Sequence, residues 1–309
     1  MTSAAVTGGS VPAAVGLRRR APELEDPLNR YLYHPLSGRL ARLLVPTGIS
    51  PNAVSVTGAL LVWAAAWAYA SLAWPVGALL GFALHMAWHV FDGADGDLAR
   101  LTGKASPTGE LVDGLCDYAA NVVLYLVLAA ILDDSIGAWA WVLAVGAGAS
   151  HAVQTNHAET QRRCYLWWAY GVPWLKQARD RDDQVFRQRG WLNSLFMSLP
   201  RFYLRAASGM APWSVRLDAV VEQMAGDSCR SARVRRLVRR SSRRSLAYEK
   251  LVGPNPRTIM LGASMLAGSP LWYFLGEAVL LNLILAASVA HHNALQRRLT
   301  EHLAPAKHH

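Results

Sequence analysis

Residues 92–117 constrain this chain more than any other stretch. They read D-G-A-D-G-D-L-A-R-L-T-G-K-A-S-P-T-G-E-L-V-D-G-L-C-D. Asp92 and Asp95 are three apart, and Asp113 and Asp117 are four apart, so each pair lies on one face of a helix. Gly103, Ser106, Pro107 and Gly109 lie between the pairs as a turn signal, and Pro107 cannot continue a helix begun near Asp92. The spacing predicts a helical hairpin with both acid pairs facing each other at one end.

The flanks make that arrangement costly. Residues 79–90 and 111–132 are mostly apolar and read as membrane-spanning. An acid at mid-membrane costs roughly 2.5–3.5 kcal/mol, so four would cost on the order of 10 kcal/mol, as much as a whole folding free energy. Arg100 and Lys104 are the only basic residues nearby. Two divalent cations would neutralise four carboxylates, and all-oxygen ligation suits Mg2+ or Mn2+. Metals in pairs also suit phosphoryl chemistry. Gly96 and Ala99 share the face of Asp92 and Asp95 and leave room for a ligand. Arg100, one step round, can reach a diphosphate. Gly109 stands one turn before Asp113.

This pattern resembles the CDP-alcohol phosphotransferase signature, D-x2-D-G-x2-A-R-x8-G-x3-D-x3-D, met here by Asp92, Asp95, Gly96, Ala99, Arg100, Gly109, Asp113 and Asp117. The resemblance implies that Asp92, Asp95, Asp113 and Asp117 hold two ions, with Asp117 also the catalytic base. It places Gly96, Ala99, Arg100 and Gly109 around the cytidine diphosphate, and it extends to assembly as a homodimer. The detailed match covers this stretch alone, and the membrane plan extends it loosely over residues 28–298.

Composition agrees with a membrane chain: 52% hydrophobic and 17% charged among 309 residues. Six apolar spans follow one another at about 53–73, 75–91, 111–132, 138–155, 259–275 and 278–290, the last continuing toward 295. The last two are expected to share a turn at Gly276 and Glu277. The connections near 74, 131–137 and 276–277 hold no Lys or Arg. By the positive-inside rule, both termini and the acid hairpin then face the cytoplasm, and the expected location is a bacterial inner membrane. The fold expected is an all-α integral membrane protein of about six transmembrane helices. Leu36, Leu40, Leu43 and Leu44 form one stripe, with Arg39 and Arg42 off it, as in an N-terminal helix lying on a membrane surface. Residues 1–25 read as a disordered tail, 26–298 as the membrane domain and 299–309 as a C-terminal tail.

Residues 158–257 read as a basic cytoplasmic insertion. Trp167, Trp168, Trp174 and Trp191 suggest contact with the interface. Arg230, Arg233, Arg235, Arg236, Arg239, Arg240, Arg243 and Arg244 form a dense run, within a net charge of +10. Anionic lipid is the expected partner, rather than nucleic acid, for which no binding motif accompanies the run. The three cysteines have neither disulfide nor zinc spacing. His85 and His89 read as packed histidines. Arg162, Arg163 and Arg257 are the candidates for binding an acceptor's phosphate.

The function expected is synthesis of a phospholipid. A phosphatidyl group passes from a CDP-linked lipid donor, CDP-diacylglycerol, to the hydroxyl of a small alcohol acceptor, a polyol or its phosphate, and CMP is released. T-G-K-A-S-P-T-G-E-L is also similar to the amino-alcohol phosphotransferase branch, which keeps a second version open, with CDP-choline or CDP-ethanolamine as donor and a lipid alcohol as acceptor. A divalent-cation transporter is the rival class, since intramembrane acids suit ion pathways. It leaves Gly96, Ala99 and Arg100 without a purpose, and no inverted repeat accompanies the acids.

Overall fold

The computed structural model describes residues 21–172, 210–224 and 227–303. Helix makes up 86% of it, and no strand occurs among the described residues. A π-helical turn (Asn29–Tyr33) leads into α1 (His34–Leu44). Helix α2 (Pro51–Ser71) begins where Ser50 Oγ accepts the Ala53 N–H at 3.2 Å and proline takes the first position, whose N–H would have no helical partner. Then come α3 (Val76–Leu101), α4 (Pro107–Ile136) and α5 (Trp139–Tyr170). The hairpin expected around the acids is present. Gly103 takes φ 67°, and Ser106 caps α4 by accepting the Gly109 N–H at 3.1 Å.

Three segments are long and apolar enough to cross a membrane: Pro51–Ser71, Thr108–Ile136 and Leu271–Leu303. Their outward faces carry Leu60, Trp63 and Trp67 on α2 and Leu115, Val122 and Leu126 on α4, all exposed. Apolar surface of this extent marks a membrane protein. Helix α2 lies between its neighbours and packs against both α3 and α4. The buried seam is rich in small residues, Ala59, Ala65 and Ala66 against Ala78, Ala120 and Ala129. Small side chains let helix backbones approach in lipid, where dispersion rather than water exclusion drives association. On α1, Ala41 is buried and Leu40 and Leu44 pack against Ala94 and Leu98 of α3, while Leu36, Leu43, Arg39 and Arg42 stay exposed.

A second core lies beyond the bundle. Helix α5 runs unbroken past residue 158, so the basic insertion begins inside a helix rather than after one. Its end packs with α6 (Pro212–Met224), α7 (Ser228–Ser241) and α8 (Ser245–Leu251) around Trp168, Leu217, Val238, Leu246 and Leu299. Trp168 is therefore buried, its indole N–H donating to Asp218 at 2.5 Å, and not at an interface. Trp174 and Trp191 lie outside the described residues, as do residues 1–20. Residues 21–25, inside the expected tail, reach this core: the Tyr165 and Tyr170 hydroxyls both donate to Glu23.

The last helices correct the expected turn. Helix α9 (Pro254–Leu266) ends at residues 267–270, where Gly268 takes φ 83° and Pro270 precedes α10 (Leu271–Leu275). Gly276 and Glu277 sit inside a π-helical turn (Gly276–Leu280) that joins α10 to α11 (Leu281–Leu303). Gly276 looked like a turn signal but is a packing contact. A Cβ there would collide with Met260 of α9. The true connection also lacks Lys and Arg, and α11 continues to Leu303, into the segment expected to be a tail.

Glu277 meets Arg257 across this contact. The pair is buried, with a 2.6 Å Nη1–Oε2 distance. Arg257 Nη2 also donates to Gln154 at 2.8 Å, its Nε to the Val252 carbonyl at 3.1 Å, and its Nη1 reaches His151 Nδ1 at 2.5 Å. Losing one partner of a buried ion pair costs about 3–5 kcal/mol, because the other charge is stranded. We expect Arg257→Met and Glu277→Gln each to lower the unfolding midpoint sharply, and the double variant to be milder than either. Thermal unfolding of the purified protein checks this. Equal and additive losses would show that the two charges act separately.

Candidate active site

The hairpin brings the four acids together although α3 and α4 both lean on α2 rather than on each other. One carboxylate oxygen from each of Asp92, Asp113 and Asp117 lies within 4.8 Å of the other two. Asp95 is buried beside them. It accepts the Ser55 hydroxyl of α2 at 2.6 Å and touches the Asp113 carboxyl. The Trp88 indole N–H donates to Asp117, fixing one of its oxygens, and Asn121 Nδ2 holds the Asp117 backbone carbonyl at 2.9 Å.

The donor set is all oxygen, compact and anionic, which suits a hard divalent cation. Three ionised carboxylates at such separations repel by about 3 kcal/mol per pair at an effective dielectric of 20. The cluster therefore demands neutralisation. Among the described residues no lysine or arginine acts on Asp95, Asp113 or Asp117. Arg100 pairs with Asp97 instead. A divalent cation fits the residues present, held by Asp92, Asp113 and Asp117.

Beside the acids is a cleft with about 540 Å3 of empty space, its open mouth included. Gly96, Ala99, Arg100 and Gly109 all line it, together with Asp95 and Asp113. Sequence reasoning missed Asn52 and Ser55, which α2 contributes to the same cleft. Their signal was present: two polar residues at i and i+3, on one face, opening an otherwise apolar span. A Cβ on Gly96 would meet nothing nearer than the Arg100 guanidinium, at 3.5 Å, so the protein itself does not require glycine there.

This separates fold from ligand. Gly96→Leu and Ala99→Leu are expected to weaken CMP binding by roughly 5–150-fold, the equivalent of about 1–3 kcal/mol of overpacking, with little change in unfolding midpoint. Isothermal calorimetry measures it. Unchanged affinity in both variants would put the nucleotide elsewhere.

The proposed acceptor arginines are not gathered with these groups. Arg162 and Arg163 stand half-exposed on α5 and share Glu159, at 2.7 and 2.5 Å. Burial pushes the Glu159 carboxyl up, but the two guanidiniums outweigh it and hold it below the usual carboxylate range. Arg257 is enclosed in the network with Glu277. His89 Nε2 meets Thr258 Oγ1 at 2.8 Å, as a packed histidine should, while His85 Nδ1 is buried with no hydrogen-bond partner among the described residues.

No curated protein matches the chain. The family model described as CDP-alcohol phosphatidyltransferase matches residues 48–164, an interval that begins just before α2 and holds all four acids, the cleft glycines and Arg100. Residues 48–164 are a CDP-alcohol phosphatidyltransferase domain, and the chain that carries them is a phosphotransferase.

Proposed function

We propose that the chain transfers a phosphatidyl group from CDP-diacylglycerol to the hydroxyl of a small polyol or polyol phosphate. The observation that carries this is the junction of an acid cluster with a cleft lined by Gly96, Ala99 and Arg100. A diphosphate in that cleft would lie between Arg100 and the acids. Bound divalent cations, two in this reading and Mg2+ or Mn2+ by their oxygen ligands, supply electrostatic stabilisation of charge on the phosphoryl oxygens.

The chain's own residues do the rest. Arg100 leaves Asp97 for a phosphate oxygen, which its guanidinium can hold in a bidentate, charge-assisted pair. Ser55 keeps Asp95 oriented. The acceptor oxygen forms a bond to the phosphorus remote from cytidine, and the bond from that phosphorus to the bridging oxygen breaks. CMP departs with the electron pair, and the acceptor's proton goes to Asp117, which Trp88 holds in place. We assign Arg162 and Arg163 to the acceptor side. Arg257 contributes stability, on the strength of its ion pair. The reading includes about six spans, an interfacial α1, a cytoplasmic site in a bacterial inner membrane, and a homodimer.

The amino-alcohol version remains the second reading, on the stretch T-G-K-A-S-P-T-G-E-L. One experiment separates them. Purified full-length protein with Mg2+ or Mn2+ is offered labelled CDP-diacylglycerol plus polyols and polyol phosphates, or CDP-choline and CDP-ethanolamine plus diacylglycerol. CMP should form in step with a new lipid in the first arm. Product only in the second arm selects the alternative. Metal transport into vesicles with no CMP from any donor would overturn both.

A further inference from the structure

The arginine run lies outside the transferase cleft, and the structure gives it a shape that the sequence did not. It forms α7, capped by Asp227, whose carboxylate accepts the Cys229 and Arg230 N–H groups at 2.9 and 3.1 Å. Val234 and Val238 are buried in the second core, and Leu237 packs against it. The apolar face of α7 is therefore occupied inside the protein and is not free to insert into lipid. Arg239 lies over the Tyr170 ring, and Arg235 lies against Gly171. Arg233, Arg236 and Arg240 are exposed on its remaining faces, and Arg243 and Arg244 are exposed in the turn that leads from α7 to α8.

The level of this array follows from α5. Among the described residues α5 is not one of the segments apolar enough to cross by itself, but it runs back from the end of α4, which is, and packs against it. The 32 residues of α5 make it about 48 Å long, against about 30 Å of bilayer hydrocarbon. Trp139 and Trp141 are exposed at its first turn, where indoles mark one membrane interface. Val234 and Val238 share a buried cluster with Cys164, Tyr165 and Trp168. Those residues lie about 38–44 Å along α5, or about 8–14 Å past the opposite edge of the hydrocarbon. This is just outside the headgroup layer, which adds about 5–8 Å on each side of the hydrocarbon, and within about one or two Debye lengths of the lipid phosphates. It is also the end of the bundle at which the acid hairpin turns.

We propose that the exposed face of α7, with the turn that follows it, binds anionic lipid headgroups of the leaflet on the active-site side, by charge alone and without insertion. A buried apolar face and exposed guanidiniums within a Debye length or two of the lipid phosphates are what such binding requires. Duplex nucleic acid would also match the charge, but α7 stands against the membrane, where lipid phosphate is already concentrated. The proposal does not depend on the transferase reading, since it concerns binding and not turnover.

Native mass spectrometry of the full-length protein in neutral detergent, titrated with phosphatidylglycerol against phosphatidylcholine, tests it. The protein should retain phosphatidylglycerol with at least about fivefold preference, because one basic residue near an anionic surface is worth about that factor. The preference should disappear above physiological ionic strength. Replacing Arg233, Arg236, Arg240, Arg243 and Arg244 with glutamine should abolish it, and replacing the same five with lysine should keep it. These five are exposed, and the lysine protein controls for folding. A wild-type protein with no preference, or a glutamine protein that keeps it, overturns the proposal. So does a duplex oligonucleotide that binds the wild type tightly while phosphatidylglycerol does not.

Discussion

Stripping divalent metal from the purified protein is expected to lower turnover by at least about a thousandfold, and adding back Mg2+ or Mn2+ to restore it. Metal stabilisation of charge in the transition state is worth several kcal/mol, and each 1.36 kcal/mol is a factor of ten in rate. The structural ground is the cluster itself. Oxygens of Asp92, Asp113 and Asp117 approach within 4.8 Å, and Asp95 touches Asp113. Their mutual repulsion, about 10 kcal/mol for three ionised pairs, rivals the stability of a folded domain. The one arginine of the motif is turned to Asp97. A second readout is independent of catalysis. If the ion binds the native state only, the unfolding free energy should rise by about 2.7 kcal/mol at a hundredfold excess over Kd. Full turnover after verified metal removal, with no shift in unfolding midpoint on adding metal, would refute the assignment.

Asp117→Asn is expected to lower turnover by at least about a hundredfold, the lower end for general base catalysis, while binding of the CDP-linked donor largely survives. Asparagine keeps the size and can still accept the Trp88 hydrogen bond, but it cannot take a proton at neutral pH. Asp117 stands one turn deeper on α4 than Asp113, and it does not line the cleft, whereas Asp95 and Asp113 do. Asp92→Asn should behave differently, losing metal and donor together. Single-turnover rates with the CDP-linked donor, alongside calorimetry with CMP, distinguish the two. Near-normal turnover in Asp117→Asn would mean that another group, such as the acceptor's own phosphate, takes the proton.

Much of the site was legible in sequence because it is local. Eight motif positions lie within 26 consecutive residues, and helical spacing alone decides which of them share a face. Ser106, Pro107 and the glycines have strong conformational preferences of their own, so the hairpin needed no distant partner to be read. Arg257 and Glu277 were different. Arg257 follows a Gly-Pro-Asn-Pro stretch and looked like a free cation at a helix start, while Gly276 looked like a turn. Glycine breaks a helix or lets two helices touch, and only the neighbour decides which. Here the neighbour is Met260, and it brings α9 close enough for Arg257 to reach Glu277.

By itself, then, the sequence determined the helical class, the membrane character, the acid hairpin and the family of its central domain. These follow from periodicity, apolar length and a fixed spacing, all properties of the chain taken a few turns at a time. Tertiary structure alone decided that Ser55 from α2 would hold Asp95, 40 residues away. It decided that the apolar side of the arginine helix would be buried against α5 and its charged side left outward. It also decided that the buried arginine would be tied to α5 and α10–α11 rather than left for a ligand. A side chain's partner is set by which helices meet and at what depth, and that is fixed by packing summed over the whole bundle rather than by any local run of residues.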